Sequence, residues 1–231
     1  MLAFIGAMAD EVAGIREALT DTETKEYAGR IVTEGSYHGM RAVIVQAGIG
    51  KVNAALCTQM IIDRYAPSGI VNTGIAGSLN PKIKIGDLVL CTDAVEHDVD
   101  ASTFGDPLGQ IPNLDVFSFQ ADEKLRALAK KAAAAALPTL GCFEGRVLTG
   151  DQFISSHEKK EWLIKTFSGD CCEMEGAAIA HVCHINRVPF LIVRAISDSA
   201  DNSAEMDYPT FEKMAISNSV KLSLEMIRLS V

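Results

Sequence analysis

The sequence lacks several features that mark particular classes of protein. Its 21 Lys and Arg residues are outnumbered by 30 Asp and Glu residues, which gives a formal net charge of -9. Because duplex nucleic acid is bound by a basic face, we expect no nucleic-acid partner. No apolar run approaches the roughly 20 residues that span a bilayer, and the chain starts with a strand-like segment at residues 2–5 rather than a basic leader. We therefore expect no membrane partner and a cytoplasmic location.

The sequence also lacks the cysteine and histidine spacings of metal sites. Its cysteines show no CxxC pair and no zinc-ligand spacing, which favours buried, reduced thiols over a disulfide or metal framework. His97, Asp98 and Asp100 are three possible metal ligands, but their order is not a usual zinc spacing, and residues 157–161 lack the second His of a zincin. A metal site is thus the weaker hypothesis, and we expect neither a metal nor a cofactor. The six cysteines are Cys57, Cys91, Cys142, Cys171, Cys172 and Cys183.

The composition and the hydrophobic pattern of the chain indicate a layered α/β protein. Hydrophobic residues make up 48% of the 231 residues, which suits one globular domain over residues 1–231. Short apolar runs predict strands, and stretches of helical period lie between them, so the expected architecture is a three-layer α/β/α domain. The predicted strands are 2–5, 42–45, 70–71, 88–90, 146–148 and 190–196. The predicted helices are 11–19, 51–65, 174–186 and 208–229.

The helical patterns also predict which side chains face the core. Val52, Leu56 and Met60 are in line on the second helix, which predicts its buried face. Asp207 is the predicted N-cap of the last helix, with Pro209 in its first turn. The segment 95–122 has no clear period and is interpreted as a functional loop or one covered by a partner subunit. In the other two patterns the aligned residues are Met174, Ala177, Ala178, His181 and Ile185, and Phe211, Met214, Ala215, Leu222, Met226 and Leu229.

Three acidic segments follow predicted strands, where open α/β sheets bind ligands. In the first, Asp10 or Glu11 is either a site residue or a side chain that stabilises a helix N-terminus. In the second, Glu173 and Glu175 are not spaced to share one face, so at most one is expected to face a cleft. Glu175 is either a surface residue or a carboxylate that the helix dipole keeps ionised to accept hydrogen bonds from sugar hydroxyls. In the third, Asp198 is either a turn residue or a half-buried general acid.

Two glycine-rich segments, 48–51 and 74–77, were tested as phosphate-binding loops. The first lacks the P-loop pattern, because Val52 and Val45 stand where Ser or Thr and the first Gly are needed. The second is followed by Pro81 with no helical pattern, so a dinucleotide fingerprint is not supported. Both segments are interpreted as tight turns or as places where the backbone approaches a ligand closely.

Five short motifs occur in chain order at these positions. They are Gly6-Ala7-Met8 with Glu11, Gly48-Ile49-Gly50-Lys51, Asn72-Thr73-Gly74 with Ala76-Gly77, Glu173-Met174-Glu175, and Arg194-Ala195-Ile196-Ser197-Asp198. Together they resemble the motifs of the bacterial 5′-methylthioadenosine/S-adenosylhomocysteine nucleosidases over essentially the whole chain. The resemblance implies a nucleoside phosphorylase-like fold with a mixed central sheet, a homodimer, and hydrolysis of the N-glycosidic bond.

The resemblance also implies a role for each acidic residue. Asp198 would protonate purine N7, Glu175 would hold the ribose 2′ and 3′ hydroxyls, and Glu11 would take a proton from the attacking water. Further substrate contacts are implied for Met8, Ile49, Ala76, Gly77, Phe153, Ile154, Met174, Ser197, Tyr208 and Phe211, with Phe153 stacked on adenine. Phe104 and Pro112 match positions that cross the dimer interface into the partner's pocket.

Some residues depart from the family pattern, and three other functions compete with this one. Ile75, Ser78 and Asp106-Pro107 differ from the usual residues, which affects the expected preference between the methylthio and homocysteine substrates. A phosphorylase of the same fold would need convergent cations, and only Lys51 lies beside the glycine turns. A nucleoside-binding module would have no use for Glu11. The third alternative is a hydrolase that binds metal through His97, Asp98 and Asp100.

Overall fold

A computed structural model describes residues 1–230 of the chain. The strands are β1 (Leu2–Gly6), β2 (Thr20–Tyr27), β3 (Arg30–Tyr37), β4 (Met40–Gln46), β5 (Gly69–Ser78), β6 (Leu88–Glu96), β7 (Phe119–Gln120), β8 (Cys142–Thr149), β9 (Cys171–Glu173) and β10 (Phe190–Asp198). The helices are α1 (Ala9–Ala18), α2 (Lys51–Tyr65), α3 (Glu123–Ala136), α4 (His157–Phe167), α5 (Gly176–Asn186) and α6 (Ala204–Leu229), with a 3-10 turn at Ser102–Phe104. Within residues 1–230, no helix is both long enough and apolar enough to cross a bilayer.

The ten strands form one mixed sheet, part of which closes on itself. β1 pairs in parallel with β4 and β5, and β10 pairs in parallel with β5. β10 also pairs antiparallel with β6, and the pairings of β6 with β8, β8 with β9 and β9 with β5 complete a ring. The α/β class with a mixed central sheet is therefore confirmed.

Hydrophobic burial explains the arrangement of the central strands and helices. All ten residues of β5 and all nine of β10 are buried, as expected for strands covered on both faces. Helix α6 contacts both α1 and α3, and α2 packs beside α5. The apolar strand runs read from the sequence thus form the core, and helices cover the sheet in two groups.

The sequence reading missed several strands and helices. The hairpin of β2 and β3 was missed because seven of the eight β2 residues are exposed and the eighth is half-buried. Helix α3 was missed as well, although Asp122 caps it by accepting a hydrogen bond from Leu125 N at 2.8 Å. Helix α4 and the three-residue β9 were also not predicted. The glycine segment 74–77 lies inside β5 rather than after it.

Predictions about α2, α5 and α6 were wrong in part. Ile185 on α5 and Met214 on α6, predicted to face the core, are 63% and 43% exposed. Helix α6 starts at Ala204 with Ser203 as its N-cap, so Asp207 is inside the helix and its carboxylate accepts a hydrogen bond from Ser203 Oγ at 2.6 Å. Pro209 therefore lies beyond the first turn. In α2, Val52 and Leu56 are 79% and 52% exposed, and the buried face consists of other residues. These are Ala54, Cys57, Thr58 and Ile61.

The segment 95–122 is shorter as a loop than the sequence suggested. Strand β6 extends through Glu96, and β7 pairs with it at residues 119–120. Between them the chain has only the 3-10 turn as regular structure. The prediction of a segment without regular structure is therefore confirmed for residues 97–118, apart from this turn.

Candidate active site

A cavity of about 400 Å³ lies where β1, β9 and β10 end. Its lining contains four acidic residues and a largely apolar remainder. Its residues are Ala7, Met8, Glu11, Ile49, Ile75, Ala76, Gly77, Phe153, Cys172, Glu173, Met174, Glu175, Ser197, Asp198 and Tyr208. A concave, mainly apolar pocket with a few convergent polar groups is typical of a small-molecule site.

Glu11 reaches this cavity from the first turn of α1. Its Oε2 accepts hydrogen bonds from Ala7 N at 2.7 Å and Met8 N at 2.9 Å, while Oε1 accepts one from Ile75 N at 3.2 Å. Burial raises the pKa of the Glu11 carboxyl and outweighs these hydrogen bonds and the nearby Arg194, which lower it. The same carboxyl group of Glu11 therefore caps the start of the helix and faces the cavity.

Asp198 ends β10 and is also buried. Its Oδ1 accepts a hydrogen bond from Ala200 N and its Oδ2 one from Ser197 Oγ, both at 2.8 Å. Burial raises the pKa of the Asp198 carboxyl, although both hydrogen bonds lower it. The raised pKa favours a carboxyl that retains its proton, as a general acid requires.

Two glycines in β5 make room for these carboxyl groups. A Cβ on Gly74 would lie 2.5 Å from Glu11 Oε1, and a Cβ on Gly77 would lie 2.7 Å from Asp198 Oδ1. Neither position tolerates a side chain without moving a carboxyl group. The glycine segment thus allows a close approach, as expected, but to the protein's own acidic residues.

Glu173 and Glu175 both line the cavity, so the prediction that at most one would face a cleft was wrong. Glu173 accepts hydrogen bonds from Gly176 N at 2.8 Å and from Glu175 N at 3.2 Å, which anchors the start of α5. It also accepts hydrogen bonds from Arg194 and Thr149. Glu173 therefore occupies a buried ion pair, and Glu175 is the carboxyl group that remains for a ligand.

Glu175 differs from the expectation in its charge. Its Oε1 accepts a hydrogen bond from Gly50 N at 2.8 Å. Burial, and then the charge of Glu173, raise the pKa of Glu175 to about 8, so the expectation that the helix dipole keeps it ionised was wrong. The cost of burying a second carboxylate beside Glu173 exceeds the gain from the helix N-terminus.

Arg194 and Asn72 are buried polar residues that the sequence reading did not single out. The Arg194 guanidinium donates hydrogen bonds to Asn72 and Glu173, and Asn72 Nδ2 donates one to Ile5 O at 2.9 Å. The available signal in the sequence was Arg194, a charged residue in a largely apolar strand. Such a charge is buried only with partners, so it indicates a buried polar contact. This pair ties β5 and β10 to the start of α5.

The other predicted residues divide into two groups. Ile154 is buried in a separate hydrophobic cluster, and Phe211 lines another surface cavity with Ser78 and Lys160. Phe104 is 88% exposed, and Pro112 is exposed too. These four predicted residues do not line the cavity, whereas Met8, Ile49, Ala76, Gly77, Phe153, Met174, Ser197 and Tyr208 do.

The proposed metal ligands are separated in the structure. His97 is buried, Asp98 forms an ion pair with Lys51 Nζ at 2.6 Å, and Asp100 Oδ1 accepts a hydrogen bond from Ser102 Oγ at 2.6 Å. Across residues 1–230, no group of three or more His, Cys, Asp or Glu side chains has the geometry to hold a metal ion. The acidic cavity is therefore the stronger candidate site.

Comparisons with known proteins show which family the chain resembles over almost its whole length. A family model described as the phosphorylase superfamily matches residues 1–228. The 5′-methylthioadenosine/S-adenosylhomocysteine nucleosidase of Shewanella loihica is 37% identical over 228 residues, which cover 98% of each chain. The crystal structure of the nucleosidase of that name from Neisseria meningitidis, in complex with methylthio-immucillin-A, has a TM-score of 0.94, 38% identity and coverage of 98% of each chain. The native structure of futalosine hydrolase from Helicobacter pylori has a TM-score of 0.92 and 36% identity, and covers 98% of this chain and 96% of that one.

Proposed function

Since the chain belongs to the 5′-methylthioadenosine/S-adenosylhomocysteine nucleosidases of the phosphorylase superfamily, we propose that it hydrolyses the N-glycosidic bond of 5′-methylthioadenosine and S-adenosylhomocysteine. The products are adenine and the thioribose. The observation that carries the proposal is the convergence of Glu11, Glu175 and Asp198 on one cavity. These three groups supply a base, a sugar-binding carboxylate and an acid, which are the functions that the reaction needs.

Asp198 is the proposed general acid. It protonates purine N7, which makes adenine a better leaving group while the ribose gains oxocarbenium character. Its raised pKa supports this role, because a proton donor has to be protonated near the working pH. Ser197 and Ala200 fix the carboxyl group by hydrogen bonds to both of its oxygens.

Glu175 is the proposed ligand of the ribose 2′ and 3′ hydroxyls. Hydroxyl groups that donate to a carboxylate favour its ionised form, so substrate binding lowers the pKa of Glu175. The resulting negative charge stabilises the positive charge that develops on the anomeric carbon. Glu11 lies in the same cavity and takes a proton from the attacking water.

The remaining lining residues are proposed to bind the base and the 5′ substituent. Phe153 stacks on the adenine, Met174 packs against the ribose, and Tyr208 faces the alkylthio end. The Phe153 and Tyr208 rings meet edge to face with centroids 5.6 Å apart, and Tyr208 Oη donates to Met8 Sδ at 3.6 Å. These contacts support a joint role because they hold the start of α6 over the cavity. Met8, Ile49, Ala76, Gly77 and Ser197 complete the proposed contacts, together with Ile154 through its backbone and Phe211 at the alkylthio end.

A homodimer is proposed as the assembly of the enzyme. Val52 and Leu56 are one helical turn apart on α2, and both are exposed although apolar. Ile185 is exposed on the neighbouring helix α5. An apolar face of this kind is typical of a subunit interface. Phe104 and Pro112, which lie outside the cavity of their own chain, are proposed to reach the partner's cavity.

We also place the enzyme in the cytoplasm, where thiols stay reduced. The six cysteines are all unpaired within residues 1–230, and five of them are buried. This pattern supports a reducing compartment, because it leaves the fold independent of disulfides.

Water, rather than phosphate, is the proposed nucleophile. Within the described residues, the lining of the cavity contains no Lys or Arg, whereas phosphate binding needs convergent cationic donors. The Lys51 ammonium is held by Glu96 and Asp98, at 3.0 and 2.6 Å. A second candidate substrate is futalosine, which the similarity to futalosine hydrolase supports.

The test is release of free base from methylthioadenosine, S-adenosylhomocysteine and futalosine, measured with and without phosphate and with a chelator. We expect adenine from the first two substrates at rates that neither phosphate nor the chelator changes. Strict phosphate dependence would support a phosphorylase, and chelator sensitivity would support the metal hydrolase. Tight binding of methylthioadenosine without release would support a nucleoside-binding module.

A further inference from the structure

Two loops beside the cavity are joined by backbone hydrogen bonds to acidic side chains. Gly50 N donates to Glu175 Oε1, and the next amide, Lys51 N, donates to Asp151 Oδ1, both at 2.8 Å. Gly50 has a φ of 94°, a conformation that glycine adopts without strain. The amide that contacts Glu175 is thus adjacent to an amide that Asp151 holds from the other loop.

The side chain of Lys51 ties the same two loops together again. Its ammonium donates to Asp98 Oδ1 at 2.6 Å and to Glu96 Oε2 at 3.0 Å, and Asp98 Oδ2 accepts a hydrogen bond from Asp151 N at 2.9 Å. Burial lowers the pKa of the Lys51 ammonium. The hydrogen bonds that the ammonium donates to Asp98 and Glu96 outweigh burial, so the pKa is raised. Lys51, Asp98 and Asp151 therefore form a closed set of contacts, which we name the loop clamp.

Each of the two loops carries a residue of the cavity. Ile49 and Phe153 line the cavity, Gly50 follows Ile49 and contacts Glu175 directly, and Phe153 is two residues after Asp151. The loop clamp thus spans the parts of the protein that contact the sugar and the base in the proposed function. Correct placement of reacting groups contributes strongly to rate. A contact that fixes the distance between the sugar-binding and base-binding parts therefore affects the chemical step.

We propose that the loop clamp of Lys51, Asp98 and Asp151 is a positioning device that fixes Glu175, through the Gly50 amide, relative to the Phe153 loop. This inference rests on the proposed role of Glu175 as the ribose ligand. The clamp residues act through Gly50 and Glu175 and not by contact with the substrate. Glu175 keeps its orientation only while the Gly50 amide stays in place.

The test is a double-mutant cycle of Asp151→Ala and Glu175→Gln, measured by adenine release from methylthioadenosine. Asp151 is exposed but accepts a hydrogen bond from the first amide of α2, so its substitution is expected to lower the melting temperature by only about 2 to 4 °C. We expect Asp151→Ala to lower kcat about 10-fold in the wild-type background. In the Glu175→Gln background the same change should cost less than about 2-fold, because the residue through which the clamp acts has lost its function.

Two control variants separate positioning from other effects. Asp151→Asn keeps an oxygen that accepts the Lys51 amide and should recover most of the rate. Asp63→Ala removes another exposed carboxylate, which accepts a hydrogen bond from Gln59 on α2, and should not change kcat. Equal losses from Asp151→Ala in both backgrounds, or no loss at all, would overturn the loop clamp while the proposed function stands. A wild-type enzyme that releases no adenine would refute the proposed function and this inference with it.

Discussion

Asp198, Glu11 and Glu175 are three carboxyl groups whose pKa values are all raised, chiefly by burial. Their partners nevertheless differ. Backbone amides hold both oxygens of Glu11, a hydroxyl and an amide hold Asp198, and one amide holds Glu175. Glu175 has the fewest hydrogen-bond donors and lies beside a second carboxylate, that of Glu173, and its pKa is raised to about 8. The three carboxyl groups thus share a raised pKa but differ in their hydrogen-bond partners.

At this scale we predict that Asp198→Asn lowers kcat for adenine release by about 1000-fold, because an amide cannot deliver a proton to N7. The change is nearly isosteric. The single amide oxygen of Asn accepts the hydrogen bond from either Ser197 or Ala200, depending on which of its two orientations the amide adopts. Steady-state kinetics together with circular dichroism would check this. An unchanged spectrum with near-normal kcat would remove Asp198 from the mechanism.

A second prediction concerns Glu175 and the pH dependence of stability. The pKa of this carboxyl is about 8 in the folded chain and 4.5 in the unfolded reference, so the folded state holds the proton more tightly. Its contribution to stability is fully present below about pH 4.5 and is lost as the pH rises through 8. Since Gln does not titrate, Glu175→Gln should exceed the wild type in free energy of unfolding by about 4 kcal/mol at pH 8, with a much smaller difference at pH 4.5.

Urea denaturation of the ligand-free enzyme at both pH values measures this difference. Glu17→Gln is the matched control, because Glu17 is exposed on α1 and its replacement should not alter the pH dependence. A Glu175→Gln variant that is less stable than the wild type at pH 8 would contradict the raised pKa.

At the scale of single elements, prediction was uneven both for the existence of helices and strands and for the residues at which they end. Helix α2 was predicted with its observed bounds, whereas α6 begins four residues before the predicted start. Ser203, which caps α6, lies in a run of small and acidic residues, where several positions have the same local preference. Helix α3 was missed although Asp122 gives it a side-chain cap. A side-chain cap therefore did not by itself identify this helix from the sequence.

The cap of α3 gives a prediction at this scale. Asp122→Ala removes the acceptor of Leu125 N, which should lower the free energy of unfolding by about 1 kcal/mol. The cap is not part of the cavity lining, so kcat and KM for methylthioadenosine should not change. Asp122→Asn keeps an acceptor and serves as the control in the same denaturation series. A loss of activity greater than the loss of stability explains would contradict a purely structural role for the cap.

At the scale of the whole molecule, the main departure from the predicted core is the exposed apolar face of α2. Val52 and Leu56 have the spacing of a buried helical face, yet they point away from the core of their own chain. Ile49, which lines the cavity, is exposed too and lies just before α2. A partner subunit on this face would cover apolar surface beside the cavity, which links assembly with the proposed activity.

We therefore predict that Leu56→Asp converts the proposed homodimer to a monomer, because a buried unpaired carboxylate opposes association. The mass in solution, measured by sedimentation equilibrium, would check this. Ile31→Asp is the control, since Ile31 is an exposed apolar residue of β3, in the hairpin with β2, and should leave the mass unchanged. A Leu56→Asp variant with the wild-type mass would place the interface elsewhere.

The sequence by itself determined the α/β class, the buried strands and the three acidic residues, because these depend on local patterns of apolar and polar residues. β5 and β10 are buried over their whole length, and each acidic residue lies at or after the end of a strand. Only the tertiary structure decided which residues contact each other and which are exposed. Val52 and Leu56 have the helical spacing of a core face but are exposed, Glu173 pairs with Arg194 from another strand, and Gly74 and Gly77 make room for carboxyl groups distant in the chain. Contacts of this kind join residues far apart in sequence, so no local pattern contains them.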